Sequence, residues 1–238
     1  MLRFDQVTWS PGEEPVLETL NLTVSAGQLV VMLGVSGVGK TSVLRLSAGL
    51  IKPGSGAVVN GFASTAMVFQ EPRLMPWATA LSNVAMVLER LDPARRAEVA
   101  ATWLGRLGFG DGDMGKRPEQ LSGGMRARVA IARAFATGAD LVLMDEPFAS
   151  LDLGLRRNLQ VEVRRLVRQT GVAVLFVTHD LTEAVSLADR IVVLAGRPAQ
   201  VVADLRQTPP ERISAVWEAA AALSVRPELA SVVAGLGA

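Results

Sequence analysis

The hydrophobic positions along the chain change period several times, and each change marks an element. Residues 2–9, LRFDQVTW, alternate imperfectly and residues 20–24, LNLTV, alternate well, so both predict strands with one buried face. Residues 28–33, QLVVML, form the continuous apolar run of a strand buried on both faces. That run ends in GVSGVGKTS, and the segment behind it, VLRLSAGLI, has helical spacing. KPGSG then marks a turn, and AVVNGF and TAMVF predict two short strands.

From about Pro76 to Thr137 the pattern is helical, through ALSNVAMVLERL, PARRAEVAATWLGRLGF and GGMRARVAIARAFATG, with a loop rich in glycine and charge before the last of these. ADLVLMDEP and VAVLFVTHD return to buried strands, separated by LGLRRNLQVEVRRLVRQTG, an amphipathic helix with five arginines. LTEAVSLADR predicts a further helix, and IVVLAG and AQVVADL predict edge strands. This order, strand–helix–strand with a helical insert, predicts an α/β fold on a largely parallel sheet. After Pro209-Pro210 comes an Ala-rich tail, long enough for one or two helices and too short for a regulatory domain.

Half of the 238 residues are hydrophobic and 20% are charged, which excludes a disordered chain. Lys+Arg 24 against Asp+Glu 23 leaves a net charge of +1, which argues against a dedicated nucleic-acid binder. With no cysteine and one histidine, disulfides, thiolate metal sites, cysteine nucleophiles and multi-histidine metal sites are excluded. The start, MLRFDQVTWS, has polar residues where a signal peptide carries its apolar core. The longest uncharged stretch, Thr19 to Gly39, is broken by four glycines, unlike a spanning helix. The chain is therefore expected to be soluble by itself.

Three places concentrate chemistry. The first is Gly34-Val-Ser-Gly-Val-Gly-Lys40-Thr41, the spacing G-x-x-x-x-G-K-[ST] between a strand and a helix. Glycines there let successive N–H groups face phosphate oxygens, with the positive end of the helix behind them. Lys40 would reach the β- and γ-phosphates, and the Thr41 hydroxyl would sit on magnesium. Only Lys40, Lys52 and Lys116 are lysines in this arginine-rich chain, which makes the position of Lys40 informative. The second place is the strand end Asp145-Glu146, where one carboxylate can hold the metal and the next can orient or deprotonate water. His179, the sole histidine, ends another buried strand and is placed to hold the γ-phosphate or the water. The third is Leu121-Ser122-Gly123-Gly124-Met125 before a helix, a second anion cradle that one nucleotide could not fill together with the first. A second subunit, supplying it across an interface, resolves that surplus.

Together these motifs resemble the ATP-binding subunits of ABC transporters. In family order and spacing the chain has Walker A GVSGVGKT, the Q-loop Gln70, the signature LSGGM, Walker B LVLMDE, the D-loop Ser150-Leu151-Asp152 and the switch histidine His179. The resemblance covers residues 1 to about 205 and implies a P-loop ATPase core with an N-terminal antiparallel β-subdomain and an inserted helical subdomain. The cassette is assigned to residues 1–208, with the helical subdomain at about 76–137 and the tail at 209–238. It also implies a homodimer in which each ATP lies between Walker A of one subunit and the signature of the other. By this resemblance Gly34, Ser36, Gly37, Gly39, Lys40, Thr41 and Ser42 bind the phosphates and Mg²⁺. Gln70 and Asp145 hold the metal with Thr41, Glu146 is the base, and Ser122, Gly123 and Gly124 bind the opposite nucleotide. Asp152 links the two sites, and Trp9 is the candidate adenine-stacking residue, about two residues early in register.

Met125, where many members have glutamine, resembles the importer branch for nitrate, sulfonates and taurine, as do VFQEPRLMPWATALSNVA and DEPFASLD. The partners implied are transmembrane permease subunits and, indirectly, a substrate-binding protein, at the cytoplasmic face of the inner membrane. The Q-loop region and the apolar stretch Leu74-Met75-Pro76-Trp77 are the expected contact with a permease coupling helix. The alternative is a soluble ABC ATPase acting on nucleic acid or ribosomes. Such proteins usually carry long coiled coils or two cassettes, and neither is present here. A module that holds ATP without turnover would not need both Glu146 and His179.

Overall fold

The computed structural model describes residues 1–149, 151–210 and 212–229, together with 232, 234 and 235. Its first elements are β1 (Leu2–Trp9), β2 (Leu17–Val24), β3 (Leu29–Leu33), α1 (Lys40–Ser47), β4 (Ser55–Asn60) and β5 (Thr65–Val68). Four helices follow, α2 (Ala80–Ala85), α3 (Pro93–Arg106), α4 (Asp111–Met114) and α5 (Gly123–Ala136). The chain then returns to strands with β6 (Leu141–Asp145), α6 (Leu153–Thr170), β7 (Ala173–Thr178), α7 (Leu181–Leu187), β8 (Arg190–Gly196) and β9 (Ala199–Arg206). Of the tail, α8 (Ile213–Ser224) and a 3₁₀ turn at Pro227–Leu229 are described.

Among the described residues the strands form one sheet in the order β4-β1-β2-β9-β8-β3-β7-β6-β5. From β8 to β5 neighbouring strands are parallel, whereas β4, β1 and β2 pair antiparallel. The parallel part explains the apolar runs. Leu29, Val31 and Leu33 of β3 pack on the face carrying α5, α6 and α7, while Val30 and Met32 pack on the face carrying α1. A strand covered on both sides has no solvent face to make polar.

The expectation that IVVLAG and AQVVADL are edge strands is wrong. β8 lies between β9 and β3, β9 lies between β8 and β2, and the edges are β4 and β5. β9 alternates buried and exposed residues as an edge strand would. It does so because one of its faces lacks a covering helix, and strand alternation reports faces rather than edges.

Short polar signals set the helix starts. Thr79, Asp92, Ser122, Asp152 and Asp180 each accept a backbone N–H at the N-cap of α2, α3, α5, α6 and α7. Pro93 adds a fixed φ at the first position of α3, and Gly171, with φ 68°, closes α6. No helix among the described residues is long and apolar enough to cross a membrane.

Candidate active site

The parallel register brings three strand ends level. Leu33 of β3 pairs with Thr178 of β7, and Asp145 of β6 pairs with Val177. Everything that leaves these strands at their carboxyl ends therefore meets in one crevice.

From β3 the chain enters the glycine loop. Gly37 and Gly39 have φ of 78° and 113°, in the region that side chains disfavour. Two of the glycines are also fixed by crowding. A Cβ on Gly34 would lie 2.7 Å from the Leu194 carbonyl oxygen, and one on Gly39 would lie 2.9 Å from Leu17 Cδ2. Val38 is buried and anchors the loop, which leaves Ser36 and Gly37 exposed at its crest. Lys40 opens α1, followed by the half-buried Thr41 and Ser42.

The Lys40 ammonium is folded into this loop. It donates to the carbonyl oxygens of Gly34 at 2.8 Å and Val35 at 3.0 Å, and lies 3.4 Å from Glu146 Oε1. Burial lowers its pKa, and the neighbouring Glu146 carboxylate opposes that shift. Thr41 Oγ1 donates to Asp145 Oδ1 at 3.1 Å. Burial raises the Asp145 pKa, and this hydrogen bond works against it.

Glu146 follows β6 with φ 41°, a left-handed conformation in a non-glycine residue. The turn aims its carboxylate at both neighbours, since Oε2 is 2.8 Å from His179 Nδ1, within reach of an imidazole N–H. A cavity of about 30 Å³ borders Glu146, His179 and Thr178, with room for a water among polar groups. Lys40, Glu146 and His179, separated in turn by 106 and 33 positions, thus converge at the carboxyl ends of β3, β6 and β7.

The other predicted residues stand around this centre. Gln70 lies two residues beyond β5, whose Val68 is level with Met144, and it is exposed at the same sheet edge. Trp9 ends β1 opposite Leu17, the residue that abuts Gly39, and its ring is half-buried. Ser122 is exposed and caps α5 by accepting the Met125 N–H at 3.2 Å. Gly123 opens α5, and a Cβ on the next residue, Gly124, would run into the Leu155 side chain of α6. Asp152 caps α6, accepting the Leu155 N–H at 2.9 Å. The starts of α5 and α6 therefore meet at Gly124. Ser150 of the expected D-loop lies outside the described residues.

Two clamps escaped the sequence reading. Arg133 of α5 donates to the carbonyl oxygens of Pro72 and Arg73 at 3.0 and 3.1 Å, tying the segment after Gln70 to the helix that Ser122 caps. Behind His179, the buried Glu183 accepts the Thr178 hydroxyl at 2.6 Å and lies 3.6 Å from Arg156 Nε, while Arg156 Nη1 donates to Asp180 at 3.0 Å. The spacing Asp180-x-x-Glu183 was a readable helix-start signal. The partner Arg156 had no local signal at all.

Burial pushes the Glu183 carboxyl from 4.5 up to about 7. A raised folded pKa gives stability that is complete below pH 4.5 and lost as the pH climbs to about 7. The change corresponds to on the order of 3 kcal/mol. Relative to Glu183→Gln, the wild-type melting temperature should fall between about pH 5 and about pH 7.5. Parallel pH profiles for the two proteins would contradict a buried, titrating Glu183.

Comparison with known proteins agrees with this geometry. Residues 17–149 match the family model described as ABC transporter. The chain belongs to the ABC transporter family. This ABC cassette is 39% identical over 211 residues to the taurine import ATP-binding protein TauB of Escherichia coli O157:H7, covering 85% of this chain and 82% of that one. It is 45% identical over 203 residues to the aliphatic sulfonates import ATP-binding protein SsuB 1 of Nocardia farcinica, covering 84% and 81%. Among solved structures, the dimeric ATP-binding cassette MJ0796 in a post-hydrolysis state with ADP and Pi superposes with TM-score 0.77 at 28% identity, over 87% of this chain and 98% of that one. The protein is an ATP-binding, ATP-hydrolysing transporter subunit with the α/β P-loop fold.

Proposed function

We propose that this cassette energises the import of small anions such as sulfonates, taurine or nitrate, as one half of a homodimer docked on transmembrane permease subunits. One observation carries the catalytic part of the reading: Glu146 is held between Lys40, at 3.4 Å, and His179, at 2.8 Å, at the mouth of the glycine loop. Incoming phosphates compete for Lys40 and release Glu146 toward a water, with His179 orienting the carboxylate. Gly34, Ser36, Gly37, Gly39, Lys40, Thr41 and Ser42 form the phosphate cradle, and Trp9 stacks on adenine.

Mg²⁺ fits the residues present. The Thr41 hydroxyl and the Asp145 carboxylate are hard oxygen donors already 3.1 Å apart, and the Gln70 amide stands at the same edge. The ion, when bound, neutralises charge developing on the phosphates. Ser122, Gly123 and Gly124 receive the partner subunit's nucleotide, and Asp152 links the two sites. The taurine and sulfonate import names of the relatives support the importer reading and the cargo class, and with them a substrate-binding protein as indirect partner. The net charge of +1 gives no support to a nucleic-acid role. We assign the cassette to residues 1–208, its helical subdomain to about 76–137 and the tail to 209–238.

The segment after Gln70 suits a permease contact at the cytoplasmic face of the membrane. Buried Asn83 accepts the Met75 N–H at 2.8 Å and donates to the carbonyl oxygens of Met75, Ala78 and Thr79. That frame holds Trp77 outward, 71% exposed. Arg133 joins the segment to α5, so movement of a docked helix reaches Ser122. The test is ATP hydrolysis with and without Mg²⁺, and with and without the reconstituted permease. Metal-dependent turnover stimulated by the permease is expected, whereas stimulation by DNA or RNA instead would overturn the importer reading. In the same titration, Trp9→Ala should lose much of the ATP-induced change in tryptophan fluorescence, and an unchanged response would make Trp9 structural.

A further inference from the structure

The groove between α6 and α8 differs in composition from the rest of the molecule. Its volume is about 460 Å³, within the range of small-molecule sites. Arg156, Arg157, Arg164, Arg165, Arg168 and Arg212 line it, and among the described residues no carboxylate does. The chain as a whole carries 24 basic and 23 acidic residues, so this segregation is local and strong. Cationic walls around a low-dielectric cavity concentrate anions.

The apolar wall is equally local. Leu153, Val161 and Trp217 line the groove and are 67%, 64% and 51% exposed. Large apolar side chains left in water on facing helices mark a contact surface. The Arg157 guanidinium lies over Trp217, its carbon 5.8 Å from the ring centroid. Seven residues further along α6, Arg164 donates to the Pro209 carbonyl oxygen at 3.3 Å, just before α8 begins. The two helices therefore run in opposite directions, and the groove has two unlike ends. At one end Arg157 lies over the exposed Trp217, and Arg165, Arg168 and Arg212 lie toward the other.

Not every arginine has charge to offer. Arg156 faces Asp180 and Glu183, and the exposed Arg165 lies 3.6 Å from the half-buried Glu162. The Arg165–Glu162 pair, at the surface, is weak and yields readily to a better-placed anion. Guanidinium forks match the geometry of sulfonate and carboxylate heads.

We propose that this groove binds an organic anion with an apolar body, its sulfonate or carboxylate head on Arg165, Arg168 and Arg212 and its body against Trp217 and Val161. Both recognition features lie inside one cavity of small-molecule size, which favours a small amphiphile over an acidic protein segment. The site shares no residue with the phosphate cradle.

The test is titration of the full chain with sodium octanesulfonate below its micellar concentration, read by calorimetry and tryptophan fluorescence. Saturable binding is expected, at least ~10-fold weaker in Arg165→Gln/Arg168→Gln and in Arg212→Gln. Octanol and methanesulfonate, each carrying half of the amphiphile, should bind at least ~10-fold more weakly than octanesulfonate. Trp217→Phe should lose the fluorescence change while calorimetry still detects binding. Basal ATP hydrolysis by the arginine variants should match wild type, which shows that they fold. Absence of saturable binding, or equal affinity in the arginine variants, overturns the proposal. So does an acidic amphipathic peptide that occupies the groove where octanesulfonate does not.

Discussion

Replacing Glu146 by glutamine should leave a protein that binds ATP but turns it over at least ~100-fold more slowly. Glutamine keeps the shape and can still accept from His179, yet its amide cannot take a proton from water. Removing the carboxylate also removes the group 3.4 Å from Lys40, so the ammonium becomes more available to phosphate. ATP affinity should therefore hold or rise. Lys40→Ala separates the two effects from the other side, because it deletes the charge inside the cradle and should weaken nucleotide binding itself. Calorimetry for ATP affinity and phosphate release for turnover distinguish the variants. Full hydrolysis by Glu146→Gln would remove Glu146 from the role of base.

The site was legible where its chemistry lies in contiguous residues. The glycine loop, the pair Asp145-Glu146 and His179 each announce themselves at the end of an apolar run, because a buried strand must change composition where it reaches the crevice. Strand register then did the rest, setting Leu33 level with Thr178 and Asp145 level with Val177. What could not be read was contact at a distance. Arg156 reaching Glu183 and Asp180, and Arg133 holding Pro72 and Arg73, are long arginines whose targets depend on helix packing. Nothing in the neighbouring residues encodes those targets. The place of β9 is hidden for a related reason: its alternation comes from one uncovered face, while its neighbours come from topology. Gly124 shows the reverse ambiguity. Its place in the LSGGM motif was legible, but its tight approach to Leu155 gives it a packing role that the motif does not announce.

The second large effect concerns Ser122, which caps α5 at an exposed helix start. Ser122→Arg removes a cap, a cost of about 1 kcal/mol that a stable domain absorbs. It also places a bulky side chain where the partner's phosphates would lie. If the site is composite, Lys40→Ala and Ser122→Arg should each abolish hydrolysis in a homodimer, yet a mixed dimer should regain it in part. One of its two sites combines both lesions. The other takes its glycine loop from the Ser122→Arg chain and its signature from the Lys40→Ala chain, and is intact. The deciding measurement is single-turnover ATP hydrolysis by co-purified mixed dimers. Recovery toward one working site per dimer is the predicted result, and confirmed mixed dimers with no hydrolysis above either parent would contradict the composite site.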